Sequence, residues 1–195
     1  MKILIETSAR HIHLSAHDFG VLFGEGVGLT KRKDLSQPGQ FASMERLTVV
    51  GPKNKIENVT VLGPLRNQTQ VEISLTDARK LGITAPIRIS GDIKNTPGCV
   101  LVGPHGSLDI SNGVIVAKRH IHIDPKSAAK LNLQDNQSVT VRVKSEVRPL
   151  IFEDVVVRIS ADFSPAMHID TDEANAAGLG NLETFCEILD CDCTK

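Results

Sequence analysis

The phrase Arg-His-Ile-His occurs twice in this chain, at 10–13 and again at 119–122, and the two copies hold four of its seven histidines. Successive side chains of a β-strand point to opposite faces. A His-Ile-His in a strand therefore sets two imidazoles side by side and turns the isoleucine away from them. Neutral imidazole is the commonest protein metal ligand. Two such pairs, each ending an apolar strand, predict a shared metal site and a fold that repeats itself with near-twofold symmetry.

The repeat extends further. Ile12-His13-Leu14-Ser15, Ile121-His122-Ile123-Asp124, Val71-Glu72-Ile73-Ser74 and Met167-His168-Ile169-Asp170 all read apolar, ligand-type, apolar, Ser or Asp. A helix signal follows each. Ser15-x-x-Asp18 opens one that closes at Gly24, and Asp124 before Pro125 opens one that closes near Asn132. Ser74 or Thr76 can cap a helix ending at Gly82, and Asp170 or Thr171 one ending at Gly178. Each half of the chain thus holds a double-ligand unit followed by a single-ligand unit, as an ancient duplication would leave it.

The remaining segments read as short strands: 46–50, 59–62, 87–90, 99–102, 113–118, 138–144 and 154–160, with turns at Gly51-Pro52 and Gly63-Pro64. Many short strands with a few two-turn helices predict a mainly β (α+β) architecture of small helix-capped β-barrels. Segment 30–40 is polar and irregular, and is expected to be a mobile loop.

Composition narrows the function. The net charge is −1 and there is no Trp or Tyr among the 195 residues. Neither a basic nucleic-acid surface nor an aromatic stacking platform is implied. No apolar run has the length of a membrane span, so no membrane partner is expected. The chain starts directly on a strand-like segment without a signal-peptide core, which predicts a cytoplasmic protein. Cys186, Cys191 and Cys193 crowd the last ten residues and cannot staple the whole chain. Cys191-Asp192-Cys193 reads as a tail with free thiols.

His11, His13, Glu72, His120, His122 and His168 are six candidate ligands. A catalytic zinc uses three protein ligands and keeps a position open, so six predict two ions. Imidazole-rich sets suit zinc, with cobalt, nickel and iron left open. His17 and His105 fall outside the unit and read as surface histidines. Arg66 precedes Gln70 and Glu72, and Arg158 interrupts the apolar run Val155-Val156-Val157. An arginine beside a metal pair is a natural phosphate clamp, because its planar fork matches phosphate oxygens. The ordinary alternative is a strand-face arginine paired with a carboxylate. No nucleotide-loop or serine-hydrolase motif is present.

The chain resembles the phosphotransacylases of the phosphate propanoyltransferase type, known from propanediol-utilising microcompartments. The resemblance runs essentially from end to end. It is carried by Ser8-Ala9-Arg10-His11-Ile12-His13-Leu14-Ser15, Leu35-Ser36-Gln37-Pro38-Gly39-Gln40-Phe41, Val50-Gly51-Pro52-Lys53 and Leu62-Gly63-Pro64. It continues in Thr69-Gln70-Val71-Glu72-Ile73-Ser74, Ser90-Gly91-Asp92-Ile93, Gly113-Val114-Ile115-Val116-Ala117, Arg119-His120-Ile121-His122 and the segment from Met167 to Ala177.

The resemblance implies the exchange of acyl-CoA and phosphate with acyl phosphate and CoA, with CoA as a substrate. It implies two zinc ions per chain, held by His11, His13, Glu72, His120, His122 and His168, with Arg66, Ser90 and Arg158 near bound phosphate and Gln70 beside them. It implies a homodimer and two β-barrels, one of residues 1–9 plus 119–195 and the other of 10–118, with the metal site between them. The encapsulation extension of the microcompartment members precedes the strand that here starts at Met1, which favours a cytoplasmic setting and leaves propanoyl-CoA and acetyl-CoA both open. A dinuclear metallohydrolase and a non-catalytic metal-binding protein are the competing readings.

Overall fold

The computed structural model describes residues 2–8, 10–180 and 183–189. Among these the strands are β1 (Ile3–Thr7), β2 (His11–Ser15), β3 (Lys31–Asp34), β4 (Phe41–Val50), β5 (Lys55–Arg66), β6 (Gln70–Glu72), β7 (Ile87–Arg88), β8 (Cys99–Val102), β9 (Ser107–Ile110), β10 (Val114–Ala117), β11 (His120–Ile123), β12 (Ser138–Val143), β13 (Leu150–Ile159), β14 (Ala166–Ile169) and β15 (Thr184–Leu189). The helices are α1 (Ala16–Phe23), α2 (Leu75–Leu81), α3 (Pro125–Lys130) and α4 (Thr171–Ala176). The chain is mainly β with short helices, and no described helix is long and apolar enough to cross a membrane.

The chain divides into two compact units. Met1–Ser8, Ser36–Pro38 and Lys118–Lys195 form the first, and Ala9–Leu35 with Gly39–Ala117 the second. We call them the barrel unit and the sheet unit. The barrel unit is a closed barrel in the order β1-β14-β11-β13-β12-β15. The sheet unit is a nine-stranded, barrel-like sheet in the order β7-β10-β6-β2-β5-β4-β8-β9, with β3 paired to β4. From β10 to β8 its order repeats that of the barrel, parallel and antiparallel pairs included.

Both cores arise from the same alternation. Ile12 and Leu14 are fully buried in the sheet unit, and Ile121 and Ile123 in the barrel. Each such side chain contributes about 1.5–3 kcal/mol of apolar burial. The histidines between them are thereby forced onto the opposite strand face.

The helix starts follow the sequence cues. Ser15, Ser74, Asp124 and Asp170 each accept a hydrogen bond from the backbone N–H three residues on. Ser74 with Asp77, and Asp170 with Glu173, complete reciprocal capping boxes. At φ 75° Gly82 ends α2 in the left-handed region, as its place after the last apolar position suggested.

Two expectations need correction. Gly63-Pro64 is not a turn. It lies inside β5, where the register against β2 shifts between His13 and Ser15, so a bulge absorbs the dipeptide and the strand continues to Arg66. Segment 30–40 is not wholly irregular either. Lys31–Asp34 pair with β4 as an exposed edge strand, whose run of charges hides the strand signal, and Gln37 is buried. Cys186 belongs to the barrel core in β15, whereas Cys191 and Cys193 lie outside the described residues.

Candidate metal centre and anion site

Two neighbouring antiparallel strands build each ligand group. In the sheet unit, His11 on β2 faces Glu72 on β6, and His13 faces Gln70. In the barrel unit, His120 on β11 faces His168 on β14. Directly opposed residues project side by side on one sheet face, so the single ligand on one strand meets the pair on the other. The ligand atoms of His11, His13 and Glu72 all lie within 4.8 Å of one another, and so do those of His120, His122 and His168. The two groups belong to different units.

The first group is buried. His11 Nε2 stands 3.5 Å from Glu72 Oε2, and His13 Nε2 3.9 Å from Glu72 Oε1. Burial drives the His13 pKa well below its ordinary value, helped by the nearby His11 and Arg66 charges, with Glu72 opposing. Burial works to raise the Glu72 pKa, yet His11, His13 and the hydrogen bond from Ser90 outweigh it and hold the carboxyl well below the usual carboxylate range. Both shifts disfavour a proton on His13 and on Glu72, the direction that metal ligation requires.

The second group carries visible outer contacts. His120 Nδ1 lies 2.8 Å from the Lys118 carbonyl, which fixes the proton on Nδ1 and leaves Nε2 as the donor atom. The rings of His120 and His122 are 4.6 Å apart, and those of His122 and His168 4.8 Å. Phe163 stacks on His122 with centroids 4.0 Å apart.

The donor chemistry fits zinc. One group offers two imidazoles and a carboxylate, the other three imidazoles, and both are known three-ligand catalytic zinc sets. His13 Nδ1 is buried without a hydrogen-bond partner, a state that a buried polar atom rarely keeps without reason.

Beside Glu72 runs a polar chain. Ser90 Oγ donates to Glu72 Oε1 at 2.8 Å and accepts from Gln70 Nε2 at 2.9 Å and from Arg66 Nη1 at 3.3 Å. Gln70 Oε1 accepts from the Gly91 N–H at 2.7 Å, which ties the loop after β7 to β6. Arg66, Gln70, Ser90 and Glu72 thus form one connected set in the sheet unit. Arg158 is not part of it. It lies on β13 as the register partner of His122, on the same face, with its guanidinium 5.9 Å from the centroid of Phe163. His17 is exposed on α1 beside Asp18, and His105 sits in a turn against α1.

Sequence reasoning missed four participants. Arg10 and Arg119, the first residues of the repeated phrase, bond at 2.8 Å to Asp77 and Glu173. These carboxylates are the third helical residues of α2 and α4. The repetition of the arginine itself was the available signal. Phe163 and Glu6, the latter 3.7 Å from His168 Nδ1, left no such trace.

The sequence model of the phosphate propanoyltransferase family matches residues 4–180. The chain is 55% identical over 177 residues to a phosphate propanoyltransferase of Thermotoga maritima, covering 91% of this chain and 84% of the relative. It is 54% identical over 176 residues to that of Clostridioides difficile, covering 90% and 84%. With the Escherichia fergusonii protein of that name it shares 56% over 182 residues, covering 93% and 86%. The chain belongs to the phosphate propanoyltransferase family and is a phosphate acyltransferase.

Proposed function

We propose that the chain interconverts short-chain acyl-CoA plus phosphate with acyl phosphate plus CoA, at two zinc ions held by the two ligand groups, by direct attack of phosphate on the thioester. Propanoyl and acetyl groups are the acyl chains in view; the proposed homodimer rests on the resemblance, and the proposed cytoplasmic setting on the sequence reading. The observation that carries it is Arg66, joined through Ser90 to the Glu72 carboxylate of a metal-ligand set. This puts an anion-binding guanidinium next to a place for a cation.

Zinc held by these groups supplies Lewis acidity toward a thioester carbonyl and toward the thiolate that departs. Arg66 binds phosphate through its planar fork and turns one oxygen toward the carbonyl carbon. The P–O oxygen forms the new C–O bond, the C–S bond breaks, and the electron pair leaves on the CoA sulfur. Ser90 holds Arg66 in place, and Gln70 holds Ser90. We also propose a phosphate-binding role for Arg158, which lies over Phe163 and level with His122 in the barrel unit. Direct attack requires no residue to carry the acyl group. The described cysteines, Cys99 and Cys186, are buried, and burial pushes their thiols up to about 12, so neither is a ready nucleophile.

The test is thiol release from propanoyl-CoA or acetyl-CoA by the zinc-loaded chain, with and without phosphate. Phosphate-dependent release with stoichiometric acyl phosphate is the expected result. Release that ignores phosphate would make the protein a hydrolase, and no release with either thioester would leave it a metal-binding protein.

A further inference from the structure

The two ligand groups differ in charge, and the strand flanking each one differs with it. Glu72 on β6 has Ile115 on β10 as its register partner, fully buried and apolar. At the equivalent place in the barrel unit, His168 on β14 has Glu6 on β1. Glu6 Oε2 lies 3.7 Å from His168 Nδ1 and accepts a hydrogen bond from Ser36 Oγ. Gln37, next in the chain, reaches within 3.5 Å of His168 Nε2, while its amide is bound at both ends to the Ser164 main chain. Residues 36–38 are thus a short strap belonging to the barrel unit, carrying two polar side chains to His168 and its carboxylate neighbour.

We infer that Glu6, steadied by Ser36, is the outer carboxylate of the His120–His122–His168 site, facing His168 Nδ1 so that Nε2 is presented to a metal ion. A site of three neutral imidazoles leaves the ion's full charge uncompensated. A carboxylate accepting the remote ring N–H fixes tautomer and orientation and raises ligand basicity. The sheet unit has its carboxylate in the ligand set as Glu72, and there the flanking place is filled by isoleucine. Each unit then has one carboxylate at its ligand group, inside the set in one case and behind it in the other. Glu6 is a positioning residue on this account. The inference rests on the metal reading proposed above.

The experiment measures zinc affinities by chelator competition on the full chain, comparing wild type with Glu6→Gln, Ser36→Ala and His122→Ala, alongside Co(II) absorption spectra. Two bound ions in the wild type are expected. Glu6→Gln should weaken one of them about 10–100-fold and leave the other unchanged, with a change in the Co(II) spectrum. Ser36→Ala should act in the same direction and less strongly, and it tests the inference should Glu6→Gln fold poorly. In the His122→Ala background, where the barrel site is already broken, Glu6→Gln should leave the remaining affinity unchanged. Unaltered affinities in Glu6→Gln, or an effect that persists in that background, would overturn the role of Glu6 while leaving the zinc reading intact. A wild type that binds no zinc would overturn both.

Discussion

At the scale of single residues, the site works by neighbours setting each other's charge. Arg66 serves twice. Its guanidinium donates to Ser90, and its charge helps keep the buried His13 neutral. A hydrogen bond to a charged group is worth about 1.5–3 kcal/mol, which is about one to two decades in an equilibrium constant. Arg66→Ala should therefore raise the phosphate KM by about 10–100-fold with zinc content unchanged. Arg66→Lys should recover little, because an ammonium restores the charge without the fork. Initial rates against phosphate concentration, with metal analysis of the same samples, check this. An unchanged phosphate KM in Arg66→Ala would remove the arginine from the phosphate site.

At the scale of elements, the repeated arginine becomes intelligible. Arg119 closes on Glu173, and Glu173 also caps α4 by accepting from the Asp170 N–H at 3.1 Å. One carboxylate therefore fixes both the strand that carries His120 and His122 and the helix that follows His168. Arg10 and Asp77 repeat the device in the sheet unit. Glu173→Ala removes half of a capping box and a half-buried ion pair. It should cost about 1–3 kcal/mol in urea unfolding, from typical values for a cap and an ion pair. A double-mutant cycle with Arg119→Met should show a coupling of about 0.5–1 kcal/mol, and strict additivity would mean that the pair does not latch strand to helix. This latch shows what a sequence conveys. The ligand residues and helix caps were readable because each is a local signal, a side-chain alternation or a polar residue before an apolar run. Their partners were not, since Glu6 meets His168, and Arg119 meets Glu173, only through strand order and register. Two of the strands that escaped notice had local reasons: Lys31–Asp34 is wholly charged, and Thr184–Leu189 adjoins a cysteine-rich end that reads as a tail.

At the scale of the whole molecule, the repeat is one of strand order, and it is crossed. β1 opens the first half of the chain but pairs with β14 and β15 of the barrel unit, while β10, which precedes the second His-Ile-His, pairs with β6 and β7 of the sheet unit. Each half gives its first strand to the other unit, while each ligand group is drawn from one half, His11, His13 and Glu72 from the first and His120, His122 and His168 from the second. The buried ligands then tie stability to pH. The folded-state pKa of His13 lies below its ordinary 6.5, so as pH falls past 6.5 the unfolded chain takes up a proton that the folded chain resists. The folded-state pKa of Glu72 lies below its ordinary 4.5, so its contribution is present above that pH and is lost as pH falls below it. Both effects have the same sign. Chelator-treated protein should hold a nearly constant melting temperature above about pH 7 and lose stability below about pH 6.5. The loss should steepen below about pH 4.5. Zinc should raise the melting temperature most on the neutral side, since ligation needs imidazoles without protons. Melting curves from pH 4 to pH 8, with and without chelator, decide the matter. An apo protein that grows more stable on acidification from pH 7 to pH 5 would show that the His13 neighbourhood does not disfavour protonation.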